Sequence, residues 1–536
     1  MTLSRRRDPP PWLPPLSRAL AEALPRLYGQ PPDPALLELI EALTLALERG
    51  DLAIDLNGPA PPGIRSAGWP ALHSGLLAAS AIGREPHGPL ALEGQWLGWR
   101  RWLQLRSEVL AALVARAGRI QPAQAAAPAQ PSADGLDPLQ QRAIRIALER
   151  DLLVLAGGPG TGKTSTVAHL LQAVAERQEG AVIQLAAPTG KAAARLRQAT
   201  AGRWPCGTLH QLLESRGDGA FRRHRQRPLS LDLLVVDEVS MVDLALMEAL
   251  LEALPERARL VLVGDPAQLP PVAPGAPLRE LLRGEGQPAL AETVVTLRTI
   301  FRNDGAIATV AAALRRWIEE ESGMPMEPID RLRPLLSRLP ADANLRWWQA
   351  APGPLPVSVR QALMEHLRRL GAAAAACIPG ADQGWRELFA IRDELLLLTP
   401  RHQGPWGVHA VHRALLGDAS AAALGQWPSG TPVLCTRNLH GLGLSNGDLG
   451  VLVAGAERWL LFGQEQPIWV HPAQLSGALE PALALTVHKA QGSESRRVMV
   501  LLPGPDPSDP RLLYTALTRA RQEAWLFTPP PGAALE

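Results

Sequence analysis

Two kinds of apolar spacing divide the chain. Between Leu20 and Gly50, Leu and Ala recur at helical intervals, and the same pattern returns from Gln95 to Gly118. The stretch from Arg119 to Gly135 is small, polar and Pro-containing, which predicts a linker and leaves residues 1–118 as a separate helical module. From Leu136 the pattern changes. Runs at 152–156, 181–187, 233–236 and 260–263 have no polar alternation, and helical segments separate them. Strands buried on both faces of a parallel sheet need unbroken apolar side chains, so these runs predict an α/β domain. Residues 305–395 read mainly as Ala/Leu/Arg-rich helix, interrupted by turns around Pro325 and Pro352. Strand-like runs at 432–436, 450–453 and 459–462, punctuated by Gly, predict a small β insertion within 430–478. Runs at 482–487, 497–502 and 524–527 then complete a second α/β core. No internal repeat is visible.

Composition narrows the function classes. At about 150 residues per domain, 536 residues predict three or four domains. Lys plus Arg is 54 and Asp plus Glu is 52, a net charge of +2. That balance excludes a polycationic coat, so any nucleic-acid site has to be a local groove. Three cysteines exclude a disulfide framework and point to a reducing compartment, which predicts a cytoplasmic protein. The beginning, MTLSRRRDPPPWLPP, has basic residues without a following apolar run, unlike a secretory signal. No apolar stretch reaches the roughly 18 residues of a membrane span. The 15 Trp, set against 5 Phe and 2 Tyr, are expected to be mostly packing residues.

The chemistry begins at the first apolar run. LLVLA at 152–156 leads into GGPGTGKT at 157–164, and a helical segment follows. This is a phosphate loop in its required strand–loop–helix context. Gly157, Gly158, Pro159, Gly160, Thr161, Gly162 and Ser165 would surround the phosphates, all but Pro159 offering backbone N–H groups. Lys163 would reach the β and γ oxygens, and Thr164 would ligate Mg²⁺. The run LLVV at 233–236 ends in Asp237 and Glu238. Asp237 would hold the Mg²⁺ shell and Glu238 would polarise the attacking water. A third run leads into GDPAQLPPV at 264–272, placing Gln268 where it could touch the γ-phosphate. A loop with GKT and a distant Asp–Glu pair also excludes a dinucleotide oxidoreductase.

Further blocks complete the pattern in order: LDPLQQRAI (136–144), APTGKAAARL (187–196), TLH (208–210), VDEVSMVD (236–243), IFRN (300–303), TRN with GLSNGDLG (436–450), TVHKAQGSE (486–494) and LYTALTRA (513–520). Together with the loop blocks they resemble the superfamily 1 helicases. More narrowly they resemble the superfamily 1B branch that contains the RecD family, the alpha subunits of exodeoxyribonuclease V in RecBCD complexes. The resemblance covers about residues 136–525.

It implies two tandem RecA-like domains, at 136–290 and 291–536, with ATP between them and an SH3-like insertion at about 415–480. It implies that Gln140 reads adenine, and that Lys163, Thr164, Asp237, Glu238 and Gln268 form the hydrolytic set. Arg302 and Arg519 match arginines that reach the γ-phosphate from the second domain, where a cation on developing charge accelerates hydrolysis. Pro188, Thr189, Lys191, Thr208, His210, Thr486, His488 and Lys489 match the DNA track, where neutral donors and lysines meet phosphate. The implied activity is ATP-driven 5′-to-3′ DNA unwinding in double-strand break repair. The implied partners are single-stranded DNA, duplex ends, and RecB-like and RecC-like subunits in a heterotrimer.

Several features depart from that family. His412 stands where an Asn usually follows the GPWGV block at 404–408, and the first domain has little room for a strand-separating pin. No Cys cluster has metal-ligand spacing, and no carboxylate constellation marks a nuclease, so DNA cutting would belong to a partner. The basic run RRHRQR at 222–227 faces either solvent, DNA or a partner. Three alternatives stay open at this point: a stand-alone helicase of the same superfamily, a structural subunit, and an RNA track. The module at 1–118 either packs back on the motor or docks a partner; the resemblance favours docking, so that a chain starting at Leu136 keeps some DNA-stimulated ATPase activity but loses assembly.

Overall fold

The computed structural model describes residues 16–531 except 32, 49, 62–63, 65–67, 84–86, 122–134, 218, 284–287, 300–304, 321–327, 380–383, 422–423, 456, 464–465, 476 and 505–508. Two parallel sheets, each covered by helices, carry the molecule, as in the RecA-like α/β fold of the superfamily 1 helicases. The first has six strands in the order Cys206–Thr208, Ile183–Ala187, Leu233–Val236, Arg259–Gly264, Leu152–Gly157, Val294–Leu297. Its central strands are fully buried, which is why their sequences lack polar alternation. The second has five strands in the order Leu345–Gln349, Ala520–Thr528, Ser495–Leu501, Leu395–Thr399, Leu485–Thr486.

The boundary expected at 290/291 moves. Val294–Leu297 pairs in parallel with Leu152–Gly157 and closes the first sheet, so the first domain runs through Leu297. The segment 305–395 is also less helical than expected, because Leu345–Gln349 lies within it as an edge strand. Leu395–Thr399, at its end, is central to the second sheet. Between helix Val408–Leu416 and strand Leu485–Thr486 the chain builds a separate five-stranded antiparallel sheet. Its order is Ile468–Val470, Arg458–Phe462, Leu449–Ala454, Pro432–Cys435, Leu479–Pro481.

The amino-terminal segment is not purely helical either. Helices Leu16–Leu27, Pro34–Glu48 and Ala71–Ala79 pack with a three-stranded antiparallel sheet, ordered Ala53–Asp55, Trp96–Trp99, Leu90–Glu93. Leu39, Ile40, Leu43 and Leu97 form its own small core. The next helix, Arg100–Ala117, belongs elsewhere. Its Leu105, Val109, Leu113 and Ala117 share one core with Leu152, Val154, Leu234 and Leu260 of the first sheet. Arg116 is buried and donates to the carbonyls of Leu254, Pro255 and Ala258. Most of the expected linker, 122–134, lies outside the described residues. Its flank is tied down, for Gln121 is hydrogen-bonded to Asp151. The expected separation of module and motor therefore fails: the last amino-terminal helix completes the first RecA-like domain.

Candidate nucleotide site between the two RecA-like domains

Register brings the first domain's chemistry to one edge. Ala156 pairs with Gly264 and Ala186 with Val236, so the loops after these strands leave side by side. In open α/β sheets the crevice beyond the carboxyl ends of the strands is the binding position. The phosphate loop leaves there and turns into helix Lys163–Arg177, whose N-cap Gly162 has φ +83°, a backbone that L side chains rarely adopt. The Thr161 hydroxyl donates to the Gly158 carbonyl at 2.8 Å and braces the turn. Lys163 Nζ donates to the carbonyls of Gly157 and Gly158 at 2.7 and 2.9 Å, lying across the loop. Thr164 and Ser165 are exposed at the start of the helix. Gln140 is buried, and its Oε1 accepts the Asp137 amide in a capping box that fixes the preceding helix, Pro138–Glu149.

Asp237 ends the strand Leu233–Val236. Glu238 follows with φ +53°, and its amide donates to Asp237 Oδ1 at 2.8 Å. Burial, and then the Glu238 carboxylate, push Asp237 up to about 6. Two adjacent carboxylates with one buried suit a divalent cation, which would neutralise charge that the site otherwise makes costly. Gln268 is buried with its Nε2 3.4 Å from Asp265 Oδ2, and its Oε1 has no hydrogen-bond partner among the described residues. A buried acceptor of this kind calls for a donor, and a water attacking the terminal phosphate would supply one. The donor set thus fits a nucleoside triphosphate with its cation.

The second domain closes over this edge. Tyr514 donates to Asp265 Oδ2 at 2.8 Å, the Leu269 amide donates to the Thr515 hydroxyl at 2.9 Å, and Gln491 donates to the Leu269 carbonyl at 3.0 Å. A Cβ on Gly158 would stand 2.9 Å from Arg315 Nη1 and 3.1 Å from the Tyr514 hydroxyl, so both side-chain ends lie close against the loop. A cavity of about 750 Å³ opens on the Gly158–Thr161 side of the loop, lined by Gly158, Pro159, Thr161, Arg315 and Tyr514 among others, whereas Lys163, Asp237, Glu238 and Gln268 are not in its wall. Arg519 is buried within its own domain, donating to the Thr515 carbonyl at 3.1 Å and the Ser493 carbonyl at 3.5 Å. Arg302 lies outside the described residues. Arg315, Tyr514 and Asp265 carried no assigned role in the sequence. An arginine inside an amphipathic helix looks like a surface charge until packing shows what faces it.

The expected track residues fall into two groups. Pro188 and Thr189 start helix Gly190–Ala199, and the Thr189 hydroxyl caps it by accepting from the Ala192 amide. Lys191, in the first turn, is held across the domain seam: its Nζ donates to Ser493 Oγ at 3.0 Å. Burial and then Arg392 lower Lys191 to about 8, against the opposing pull of Asp448 and Asp393. Arg195 of the same helix forms an ion pair with Glu494 and donates to the Gly492 carbonyl. A Cβ on Gly190 would stand 3.3 Å from Asp448 Oδ1 and from Ser445 Oγ of the antiparallel insertion. Thr208 caps its helix with Gln211, and His210 packs beside Phe221. Across the seam Thr486 is buried, its hydroxyl accepting the Lys489 amide, while Lys489 Nζ pairs with Glu480 at 2.9 Å. His488 is exposed. In the basic run, Arg223 and Arg227 both pair with Glu214, which folds that loop onto the first domain.

The chain is similar to known proteins over most of its length. An AAA domain family matches residues 140–274, and the UvrD-like helicase C-terminal domain matches residues 481–527. The chain is 37% identical to the RecBCD enzyme subunit RecD of Mycolicibacterium smegmatis, covering 94% of this chain and 91% of that one. It is 38% identical to the RecBCD enzyme subunit RecD of Mycobacterium tuberculosis over 72% of this chain and 68% of that one. It is also 37% identical to the ATP-dependent RecD2 DNA helicase of Deinococcus radiodurans, over 69% of this chain and 46% of that one. Among solved structures, a Bacteroides Pif1 bound to single-stranded DNA covers 73% of this chain at 17% identity and a TM-score of 0.41. With 94% of its length aligned to such a relative, the chain belongs to the RecD family of RecBCD enzyme subunits.

Proposed function

We propose that the chain is the ATP-hydrolysing, 5′-to-3′ DNA motor subunit of a RecBCD-type helicase–nuclease that works at double-strand breaks. The observation that carries this is the phosphate loop with Asp237, Glu238 and Gln268 on one sheet edge, faced by two helices of the second domain. Lys163 would leave the loop carbonyls for the β and γ oxygens. Thr164 and Asp237 would hold Mg²⁺, which neutralises phosphate charge when bound. Glu238 and Gln268 would orient the attacking water, and Arg519 together with Arg302 would meet the charge that develops on the terminal phosphate. Gln140 would read adenine.

The track for single-stranded DNA would run from Pro188, Thr189, Thr208 and His210 to Thr486, His488 and Lys489. The antiparallel sheet at 432–481 would act as an SH3-like clamp on the strand. Contact of Lys191 with Ser493, and of Arg195 with Glu494, supports a track that straddles the seam, because opening the seam would change its length. RecB-like and RecC-like subunits are the proposed partners, and the amino-terminal segment before Arg100 is the proposed docking surface. No helix among the described residues is long and apolar enough to cross a membrane.

Two measurements test this. Phosphate release with saturating single-stranded DNA and Mg²⁺ should fall about 100-fold or more in Lys163→Ala, and turnover within twofold of the parent would remove the ATPase assignment. Partial duplexes with a 5′ tail should be unwound, with partners added where needed. Exclusive use of a 3′ tail would overturn the polarity.

A further inference from the structure

Arg315 is the second-domain cation that packing sets against the phosphate loop. It lies on helix Ala306–Glu319, which packs beside helix Pro510–Leu517 that carries Tyr514. One arm of its guanidinium faces outward: Nε donates to Glu319 Oε1 at 2.8 Å, and Glu319 is its only ion-pair partner among the described residues. The other arm faces inward, with Nη1 2.9 Å from where a Cβ on Gly158 would sit. A surface ion pair would account for the outer contact but not for the inner one. Asp265, whose charge acts on Arg315, is already satisfied. It accepts from Tyr514, from the Ala267 amide and, at 3.4 Å, from Gln268. Although burial alone would weaken the charge on Arg315, the fields of Asp265, Tyr514 and Glu319 hold its pKa above the ordinary arginine value. The cation therefore stands at the wall of a cavity that opens onto Gly158, Pro159 and Thr161, the part of the loop that arches over the terminal phosphates.

Resting on the ATPase assignment above, we propose that Arg315 is a further catalytic arginine: it contacts the terminal phosphate of bound ATP from the second domain, with Glu319 holding its outer arm. Bound triphosphate brings the anionic partner that Arg315 lacks across the cleft. As the second domain closes, Nη1 would shift from the Gly158 backbone to a γ-phosphate oxygen, while Glu319 limits the motion to the tip of the side chain. A rigid planar fork held at one arm is pre-organised for this contact in a way that a lysine is not. Hydrolysis itself is unchanged by this assignment: water adds to the γ-phosphorus, the bond to the β–γ bridging oxygen breaks, and ADP and phosphate leave.

The experiment uses the full chain with saturating single-stranded DNA and Mg²⁺, comparing the parent with Arg315→Ala, Arg315→Lys, Glu319→Gln and Lys163→Ala. Turnover of Arg315→Ala should fall at least about 100-fold, with ADP affinity within about threefold of the parent. Arg315→Lys should recover part of that loss. Glu319→Gln, a positioning change, should lower turnover only about three- to tenfold. The added discriminator is ADP with aluminium fluoride, which resembles the phosphoryl group in transfer. Its affinity should drop about 100-fold in Arg315→Ala while ADP affinity holds. A thermal midpoint within about 2 °C of the parent checks that the variant folds. Turnover within threefold of the parent overturns the inference, and so does an equal loss of affinity for ADP and the fluoride complex. If Lys163→Ala is inactive while Arg315→Ala is not, only this inference falls. If the parent itself hydrolyses no ATP, the ATPase assignment falls and takes the inference with it.

Discussion

The first RecA-like domain has two large seams, built in opposite ways. Against the amino-terminal helix Arg100–Ala117 it is apolar: Leu105, Val109, Leu113 and Ala117 are part of the same core as the central strands. Even the charged member, Arg116, is buried and donates to three carbonyls of the motor. Against the second RecA-like domain it is mostly polar, built from Lys191–Ser493, Arg195–Glu494, Tyr514–Asp265 and Gln491–Leu269. Opening an apolar seam exposes area at about 25 cal/mol per Å². Opening a polar one exchanges hydrogen bonds for water at a net cost near 1 kcal/mol each. By composition the first seam costs more to open than the second. Ala267 and Leu269 are the exception at the second seam: they share the hydrophobic core of the second domain.

The largest effect should come from breaking the apolar seam. A chain starting at Leu136 would expose the faces that Leu105, Val109 and Leu113 cover, at roughly 1.5–3 kcal/mol for each side chain. That approaches the whole stability of a domain, about 5–15 kcal/mol. Such a chain should fail to give a soluble, cooperatively unfolding protein. Recovery of a folded, DNA-stimulated ATPase from it would show that the seam is dispensable. The graded form of the same test is Leu113→Ala, with an expected loss of about 2–5 kcal/mol by denaturant unfolding.

Next comes the catalytic side of the polar seam. Arg519 is held by the Thr515 and Ser493 carbonyls, and Ser493 is also the acceptor of Lys191. Arg519→Ala should keep nucleotide binding through the first domain and lose about 100-fold or more in turnover. Lost affinity with an unchanged maximal rate would instead make Arg519 a packing residue. A smaller effect is expected at the charged pair. Arg195→Ala removes one of the partners of Glu494, which Arg521 also pairs, with Asp237 and Glu238 nearby on the other side of the seam from Glu494. It should lower the DNA stimulation of ATP turnover several-fold while leaving DNA-free turnover within about twofold, because a part-exposed ion pair is worth about 1 kcal/mol or less. Equal loss with and without DNA would mean that the pair supports the nucleotide site directly.

The same contrast explains what the sequence disclosed. Leu152–Gly157, Leu233–Val236 and Arg259–Gly264 are buried on both faces, so their apolar runs could be read directly, and so could the Lys163, Asp237 and Gln268 loops that follow them. Strands were missed where local preference points elsewhere. Leu395–Thr399 is four leucines and a threonine, and leucine favours helix, so the run merged with the helices before it. Leu345–Gln349 is a half-exposed edge strand rich in Arg and Trp. Val294–Leu297 was legible as apolar, but only pairing could show that it belongs to the first sheet. Arg195 and Arg315 were invisible as functional groups for a related reason. Their helices fix their positions, but only the packing of one domain on the other decides that they face Glu494 and Gly158.

A further effect, absent near neutral pH, separates the two domains by pH. His412 lies buried on helix Val408–Leu416 of the second domain, with Nε2 unpartnered among the described residues. Burial, helped by His409, lowers it to about 4, and His366 of helix Val357–Ala375 is lowered to about 4 by burial as well. Both groups are neutral in the folded chain and titrate near 6.5 when unfolded. Their contribution to stability is therefore complete above pH 6.5 and is lost as pH falls from there toward 4, because the unfolded chain takes up protons that the folded one refuses. At pH 5 the loss is on the order of 2 kcal/mol for each histidine. His412→Asn should keep the thermal midpoint near that of the parent at pH 7.5 and flatten its decline toward pH 5. The remaining slope belongs to His366 and to other groups, and adding His366→Gln should reduce it further. No acid-sensitive histidine of this kind lies among the described residues of the apolar seam, so hydrogen exchange at pH 5 should rise in the second domain while helix Arg100–Ala117 stays protected. Parallel loss of protection in both would show that the two seams unfold as one unit.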